Sequence, residues 1–278
     1  MGEIIGDRYR IIRSLGRGGM GEVFLAEDVA LGGKAALKCV GGDLPAGEAR
    51  SRFRREALAA SWLDHPNICR IFEIVPHGEK EYIVMQYVDG VTLLEPMKIK
   101  SLALGQIVGI ALQITEGMMA AQARHIVHLD IKPANIMIDK SGRVKILDFG
   151  LAEFRPRNTA DRKTRRPGPG SRDENVVMGT MSYMSPEQAQ GLDPDVRSDI
   201  FSFGVVLYEL LEGENPFADP DSVITLFNIR HKQIRFVREV PQGLREIILK
   251  TLRKDRECRY QDFREIKKDL LALPARMA

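Results

Sequence analysis

The sequence predicts an α+β protein in which strands come first and helices follow. Short apolar runs separated by glycine, proline and aspartate turns fill the first third of the chain. Longer apolar runs with helical spacing, beginning with Leu102 to His125, fill most of the remainder. The 278 residues exceed the roughly 100–200 residues of a typical domain, so we expect one large domain or two lobes.

Composition and charge exclude several functional classes. A net charge of +3 gives no general attraction for nucleic acid or a membrane surface, and neither is expected as a partner of this segment. No apolar run reaches the roughly 18 residues of a membrane helix, and the N-terminus lacks a signal peptide's apolar core. Cys39, Cys69 and Cys258 are far apart, which predicts three buried thiols without a disulfide or zinc site. We expect a cytoplasmic domain, alone or within a longer membrane-anchored protein.

A glycine-rich segment follows the first predicted strand, Tyr9 to Leu15. Gly16, Gly18 and Gly21 have no Cβ, so backbone N–H groups there can approach phosphate oxygens. Glu22 to Glu27 has the pattern of a strand rather than of a long helix. The segment therefore predicts a hairpin that covers phosphates, and not the strand, turn and helix of a dinucleotide site. An ordinary glycine-rich hairpin is the alternative.

The next predicted strand, Ala35 to Val40, contains a single lysine, Lys38. An amine among apolar residues is costly unless it is paired. The following segment, Ala46 to Leu63, has helical character and contains two acids, Glu48 and Glu56. Glu56 lies deeper in this helix than Glu48, and a solvent-facing charge is the alternative.

Two more strands, Ile68 to Val75 and Glu81 to Tyr87, precede a polar break. The run Tyr82 to Met85 is entirely apolar and is expected to be buried. Residues 86–90 then change to polar residues and glycine, which indicates a connection between two parts of the structure.

The stretch from His128 to Gly150 concentrates polar groups in two short segments with apolar flanks. It contains Asp130, Lys132, Asn135 and Asp148. Carboxylate and amide oxygens are ligands that Mg²⁺ prefers, a carboxylate can take the proton of a hydroxyl, and a lysine can neutralise a moving phosphoryl group. The stretch therefore predicts phosphoryl transfer from a magnesium nucleotide.

These motifs resemble the eukaryotic-type (Hanks-type) serine/threonine protein kinases of the bacterial subgroup, over most of the chain. The resemblance implies a two-lobed protein-kinase fold over residues 1–278, with a small antiparallel β-sheet N-lobe that has one helix and a larger, mainly α-helical C-lobe. The implied boundaries are N-lobe 1–85, hinge 86–90, C-lobe 91–278 and activation segment 148–187. It also implies ATP, Mg²⁺ with Mn²⁺ as an alternative ion, protein substrates with Ser/Thr acceptors, autophosphorylation, and a homodimer through the N-lobe.

The resemblance also assigns roles to individual residues. Asp130 accepts the substrate's hydroxyl proton, and Lys132 neutralises the γ-phosphate. Asn135 and Asp148 hold the metal ion, and Lys38 contacts the phosphates. The family pairs this lysine with a glutamate of the next helix, for which Glu56, in the FRREAL context typical of bacterial members, is preferred and Glu48 is the competing candidate. The nucleotide-contacting residues implied by the family are Leu15, Gly16, Gly18, Gly21, Val23, Ala36, Lys38, Met85, Gln86, Val88 and Met137. Among these, the Gln86 and Val88 backbones are expected to bind adenine.

Further residues are implied to support the catalytic loop, the segment from His128 to Asn135. Thr180 is expected to hydrogen-bond Asp130 and Lys132, and Glu187 to form a buried ion pair with Arg259. Asp199, expected to begin the helix Ile200 to Leu211 that ends at Asn215-Pro216-Phe217, is expected to bind the loop's backbone. His128 and Phe149 are expected to pack in the core.

Leu129 departs from the family pattern, which commonly has arginine between the histidine and the aspartate. That arginine pairs with a phosphate on the activation loop, and leucine cannot. We therefore expect activity that does not depend on this phosphate. Arg155 to Arg172 is strongly basic and includes three candidate phosphosites, Thr159, Thr164 and Ser171.

Two other functions compete with a protein kinase. The first is a pseudokinase, a nucleotide-binding scaffold without transfer activity, which the complete set of catalytic residue types disfavours. The second is a small-molecule phosphotransferase, which Lys132, Thr180 and Glu187 disfavour.

Overall fold

The computed structural model describes residues 2–18, 21–40, 61–98, 102–149, 153–154 and 181–273. The predictions for Glu48, Glu56 and Thr180, and for the basic loop with its three phosphosites, lie outside these residues.

The N-lobe is a six-stranded antiparallel sheet with the strand order β1-β2-β3-β4-β6-β5. Its strands are β1 (Ile4–Ile5), β2 (Tyr9–Gly18), β3 (Gly21–Asp28), β4 (Lys34–Val40), β5 (Ile71–His77) and β6 (Lys80–Gln86). Side chains on one face, including Ile5, Leu37 and Val84, form a separate apolar core. The predicted burial of the run Tyr82 to Met85 is confirmed for Tyr82 to Val84 and wrong for Met85, which is only partly buried at the end of β6. β5 begins later than expected, because Ile68 makes only an isolated bridge to Ile146.

The C-lobe is mainly helical, which confirms the predicted fold class. The α-helices of the described residues are α1 (Leu94–Lys98), α2 (Leu104–Ala123), α3 (Pro186–Ala189), α4 (Val196–Glu212), α5 (Ser222–His231), α6 (Gln242–Thr251) and α7 (Phe263–Leu271). Short strands complete it: β7 (Gly90–Thr92), β8 (Ile126–Val127), β9 (Ile136–Asp139), β10 (Val144–Ile146) and β11 (Glu153–Phe154). Strands β10, β9 and β7 form one small sheet, and β11 pairs with β8.

Helix α4 forms the centre of the C-lobe core. Almost every residue from Ser198 to Glu212 is buried, and a helix that is apolar on all sides needs partners on all sides. The expected start at Asp199 is wrong, because the side chain of Asp195 caps the helix and Asp199 lies one turn inside it. The expected end at Asn215 is also wrong, because Gly213 ends the helix with φ of 83°.

Two expectations from composition need correction. Helix α2 is long and apolar enough, by length and composition, to cross a membrane, although no such segment was expected. Ile110, Ile114 and Met118 on this helix are buried in the C-lobe core, and this packing accounts for its apolar composition. Cys258 is exposed rather than buried, whereas Cys39 and Cys69 are buried as expected.

Candidate active site

The glycine segment forms the predicted hairpin between β2 and β3. Gly18 pairs with Gly21 across the turn, and the pairing is irregular between Ser14 and Gly16. Gly21 has φ of 125°, a backbone conformation that side-chain-bearing residues rarely adopt. The chain continues as a strand, so the dinucleotide-type strand, turn and helix is excluded here.

Strand pairing brings the predicted nucleotide-contacting residues of the N-lobe together. Gly16 lies opposite Val23 in the β2–β3 pair, and Val23 lies opposite Lys38 in the β3–β4 pair. Ala36 lies opposite Met85 in the β4–β6 pair. Leu15, beside Gly16, is partly exposed, and Met137 lies on β9 in the other lobe. Cross-strand neighbours lie about 5 Å apart, so the side chains of the paired N-lobe residues border one surface of the sheet.

The connection after β6 restricts how an adenine could be recognised. The Gln86 N–H already donates to Arg70 O over 2.9 Å. Only the carbonyl oxygen of the Gln86 backbone is therefore left for a ligand, and it accepts a weak bond from the Cys69 thiol at 3.5 Å. Val88 follows in the same connection and is buried.

Three catalytic-loop residues form one hydrogen-bonded cluster. Lys132 Nζ lies 3.0 and 2.9 Å from the two carboxylate oxygens of Asp130. Asn135 Nδ2 donates to Asp130 O over 2.8 Å and to Asp130 Oδ2 over 2.9 Å. The 3-10 turn Pro133–Asn135 makes these short contacts geometrically accessible. The structure thus brings these three predicted residues together, and the roles assigned to them stay predictions.

Asp148 connects this loop to the N-lobe. Lys38 Nζ lies 2.5 Å from Asp148 Oδ1, across more than a hundred residues of sequence. Asp148 has φ of 58°, which is rare for a residue with a side chain and is typical of functional sites. The Leu147 N–H donates to Asn135 O over 2.8 Å, so Asn135 and Asp148 are held near each other. The expected partner of Lys38, Glu56, lies outside the described residues.

A buried carboxylate holds the backbone of the catalytic loop. Asp199 Oδ2 accepts from His128 N, and Asp199 Oδ1 accepts from Leu129 N, both over 2.8 Å. Burial raises the pKa of Asp199 to about 7, while the two N–H donors act in the opposite direction. The predicted contact with the loop backbone is confirmed, although Asp199 reaches it from inside α4.

His128 is an uncharged structural residue. Burial lowers its pKa. Its Nδ1 accepts from the Asp130 N–H at 3.2 Å, which leaves Nε2 as the protonated nitrogen that donates to Leu147 O at 3.0 Å. The ring also packs 4.4 Å from the Phe149 ring, as expected for core residues. One neutral imidazole therefore links the two polar segments of the site.

The predicted Glu187–Arg259 ion pair is present and buried. The two guanidinium nitrogens lie 2.8 Å from the two carboxylate oxygens, and Ser198 Oγ donates to Glu187 Oε1 over 2.6 Å. Burial raises the pKa of Glu187, but the hydrogen bonds and charge of Arg259 outweigh it and hold the pKa below its ordinary value.

One residue that contacts the catalytic loop was not predicted. Gln188 Nε2 donates to Leu129 O over 3.2 Å. The spacing of Ser185 and Gln188 matches the capping-box pattern that marks a helix start, so the sequence contained a signal for its local role. It contained no signal for the contact with Leu129, which is distant in the chain.

Comparisons with known proteins agree with this geometry. The protein kinase domain family matches residues 9–270. The chain is 37% identical over 279 residues to the probable serine/threonine-protein kinase PknB of Lactococcus lactis, covering 97% of this chain and 42% of that protein. It is 38% identical over 278 residues to the serine/threonine-protein kinase PrkC of Bacillus subtilis, covering 97% of this chain and 41% of that protein. It is 38% identical over 277 residues to the serine/threonine-protein kinase PknB of Mycolicibacterium smegmatis, covering 96% of this chain and 43% of that protein.

The chain spans about two-fifths of the length of these curated relatives. The family match extends from β2 to the last helix and includes every element that carries a candidate catalytic residue. The chain therefore belongs to the protein kinase domain family.

Proposed function

We propose that this domain is a serine/threonine protein kinase that transfers the γ-phosphoryl group of ATP to Ser/Thr hydroxyls of proteins. The observation that carries the proposal is the bonded cluster of Asp130, Lys132 and Asn135, linked through Leu147 to the Lys38–Asp148 pair. The cluster combines a proton acceptor, a cation and two oxygen ligands, which together are sufficient for phosphoryl transfer.

The chain's own residues divide the chemistry between them. Asp130 accepts the hydrogen bond of the substrate hydroxyl and receives its proton as the new oxygen–phosphorus bond forms. The bond from the γ-phosphorus to the bridging oxygen breaks, and ADP leaves with that electron pair. Lys132 neutralises charge on the transferred group, and Lys38 does so on the remaining phosphates. Positioning and electrostatics lower the barrier, and no covalent enzyme intermediate is needed.

Asn135 and Asp148 fit a magnesium site. Asn135 uses Nδ2 for its bonds to Asp130, so its amide oxygen points away from them. Mg²⁺ is commonly held by one or two protein oxygen ligands together with substrate phosphates, so an amide and a carboxylate oxygen are enough from the protein. When bound, Mg²⁺ supplies positive charge to the phosphate oxygens.

The nucleotide is proposed to lie between the lobes, with residues 86–90 as the hinge between 1–85 and 91–278. The proposed walls of the adenine site are Leu15, Val23 and Ala36 from the sheet and Met137 from β9, and Met85 closes its back. The glycine hairpin covers the phosphates. Apolar walls with a few backbone hydrogen bonds are what a flat aromatic base requires.

The decisive experiment is intact-mass spectrometry after incubation with Mg-ATP. We expect a stepwise gain of phosphate on the wild type and none on Asp130→Asn, because removal of a general base costs about 10²–10⁴-fold in rate. Asp139→Asn is the matched control, since Asp139 ends β9 and, in the described residues, its side chain bonds only to Ser141 and Arg143. A wild type that binds ATP without gaining phosphate would instead indicate a pseudokinase.

Leu129 leads to a second proposal, that activity does not require a phosphate on the activation loop. The leucine offers no donor to a phosphate. We expect the combined change of Thr159, Thr164 and Ser171 to alanine to leave most activity intact. A loss of several hundred-fold, measured with a peptide substrate, would refute this proposal.

A homodimer through the N-lobe is also proposed. Leu31 is 79% exposed and Val29 is 41% exposed at the turn between β3 and β4, which forms an apolar tip. The guanidinium of Arg8 fixes the start of this turn, because it forms ion pairs with the carboxylates of Asp28 at 2.7 Å and Glu73 at 3.0 Å. An exposed apolar turn that is held in place by ion pairs suits a contact between two copies of the chain related by a two-fold axis.

The dimer is tested by light scattering coupled to size-exclusion chromatography. We expect Leu31→Arg to shift the species toward the monomer. Val237→Arg is the matched control, because Val237 is 86% exposed on the C-lobe. Equal behaviour of the two variants would count against an N-lobe dimer.

We propose that the domain works in the reducing cytosol. Cys39, Cys69 and Cys258 are all free, and the two buried ones lie within the N-lobe sheet and beside the connection after β6. An oxidising compartment would favour disulfides in their place. Thiol titration of protein purified without reductant tests this, and we expect three free thiols.

A further inference from the structure

We propose that Gln188 is a positioning residue that holds the catalytic loop for phosphoryl transfer. It links the closing anchor of the activation segment, Ser185 to Glu187, to the residue immediately before Asp130. This inference rests on the proposed kinase function. It adds Gln188 as a residue that acts through the catalytic loop rather than through contact with ATP or the protein substrate.

One side chain makes the connection. Gln188 Nε2 donates to Leu129 O over 3.2 Å. The other end of the same amide, Oε1, accepts from the Ser185 N–H over 3.0 Å. The Gln188 N–H in turn donates to Ser185 Oγ over 3.3 Å. Because Oε1 is used by an N–H donor, the orientation of the amide is determined and its NH₂ group is directed at Leu129.

The contacted peptide is the point at which the catalytic loop is strained. Leu129 has φ of 65°, a left-handed conformation that leucine rarely adopts. Its N–H is held by Asp199 Oδ1 at 2.8 Å, and its carbonyl by Gln188. Because both the N–H and the carbonyl of Leu129 are hydrogen-bonded, the strained conformation of this residue is stabilised.

Rotation at Leu129 would move the reacting carboxylate. Asp130 follows directly in the chain, so a change in the preceding peptide displaces its side chain. A displacement of about 1 Å from the reactive geometry can cost on the order of 10²-fold in rate. Gln188 can therefore influence the rate without touching either substrate.

The contact suits a loop without arginine at position 129. In place of a side-chain pair with a phosphate, the connection runs through the backbone oxygen of Leu129 and needs no phosphorylation. Its other end is rigid, because the neighbouring Glu187 is fixed by the buried guanidinium of Arg259. The activation segment is thus coupled to the catalytic loop by a neutral hydrogen bond.

The test compares four variants by transfer rate at saturating Mg-ATP, divided by the concentration of nucleotide-binding sites. Gln188→Met and Gln188→Glu both remove the donor to Leu129. Gln190→Glu is the matched control, since Gln190 is exposed at the end of the same helix. Ser185→Ala removes one capping bond but leaves the contact with Leu129, and so isolates a purely structural effect.

We expect kcat to fall about 10–100-fold in both Gln188 variants, with the Kd for Mg-ATP within twofold of wild type. Gln190→Glu and Ser185→Ala should keep kcat within threefold, even where Ser185→Ala lowers Tm. Three results would overturn the proposal: unchanged kcat in the Gln188 variants, an equal loss in Ser185→Ala, or Gln188 variants that neither fold nor bind ATP. A wild type that binds ATP but transfers nothing would refute the proposed function, and this inference with it.

Discussion

Replacing Arg259 by methionine is predicted to destabilise the domain strongly. The side chain of Arg259 is 0% exposed, and its partner Glu187 is 6% exposed. Besides the two bonds to Glu187, the guanidinium donates to three backbone oxygens, of Arg253, Arg197 and Lys254, over 2.7, 2.8 and 3.0 Å. Methionine fills a similar volume but replaces none of these donors.

The expected magnitude follows from the charge that is left behind. Removing one partner of a buried ion pair costs about 3–5 kcal/mol, because the other charge stays buried without compensation. For a domain of this size that corresponds to a fall in Tm on the order of 10 °C. Urea denaturation followed by circular dichroism gives the free energy of unfolding, and thermal unfolding gives Tm.

Two comparisons make the test specific. Arg264→Met removes an arginine whose side chain is 72% exposed beside Asp262, and it should leave the unfolding midpoint nearly unchanged. The double variant Arg259→Met with Glu187→Met leaves no unpaired charge and should recover much of the loss. The reasoning is refuted if Arg259→Met costs less than about 1 kcal/mol, or if the double variant is no more stable than the single one.

The pH dependence of this variant has a definite sign. In the wild type the pKa of Glu187 lies below its ordinary value of 4.5. The contribution of Glu187 to the free energy of unfolding is therefore present above pH 4.5 and is lost as the pH falls through the folded-state pKa. Without Arg259, burial alone would raise the pKa of Glu187, and stability would fall as the pH rises through it. The stability gap between wild type and Arg259→Met should therefore widen from pH 5 to pH 8.

Three further predictions concern other parts of the molecule. Lys38→Met should lower the transfer rate by at least about 10²-fold in a steady-state assay, because the cation that contacts Asp148 at the proposed phosphate and metal sites is lost. Asp199→Asn should cost about 1–3 kcal/mol in urea unfolding, because an amide nitrogen would then face one of the two backbone N–H groups. Gly204→Ala should lower Tm, because its Cβ would lie 2.1 Å from Thr251 Oγ1, whereas Gly109→Ala, with open space around it, should not.

The local sequence was sufficient to predict most of the polar side chains of the candidate active site. Asp130, Lys132 and Asn135 lie within six consecutive residues, so a short loop brings them together whatever surrounds it. The glycine hairpin was likewise predictable, because glycines followed by a strand pattern act through local backbone geometry. The strand patterns followed by helix patterns predicted an α+β protein for the same reason, whereas its two lobes were implied by the resemblance to the protein kinases.

Some outcomes depended on which distant groups the fold brings together. The sequence placed Asp199 at a helix start, but Asp195 caps the helix and Asp199 lies one turn inside, where burial is the largest cause of its raised pKa. Cys258 belongs to the same residue type as two buried thiols, yet it is exposed because its 3-10 turn lies at the surface.

Chemistry that depends on residue type and close spacing was determined by the sequence itself, because a few bonds of backbone limit where such side chains can go. The contacts of Lys38 with Asp148, and of Gln188 with Leu129, join positions far apart in the chain. Only the packing of the lobes and of α3 against the catalytic loop decided them, because hydrogen bonds depend on distances that no local pattern records.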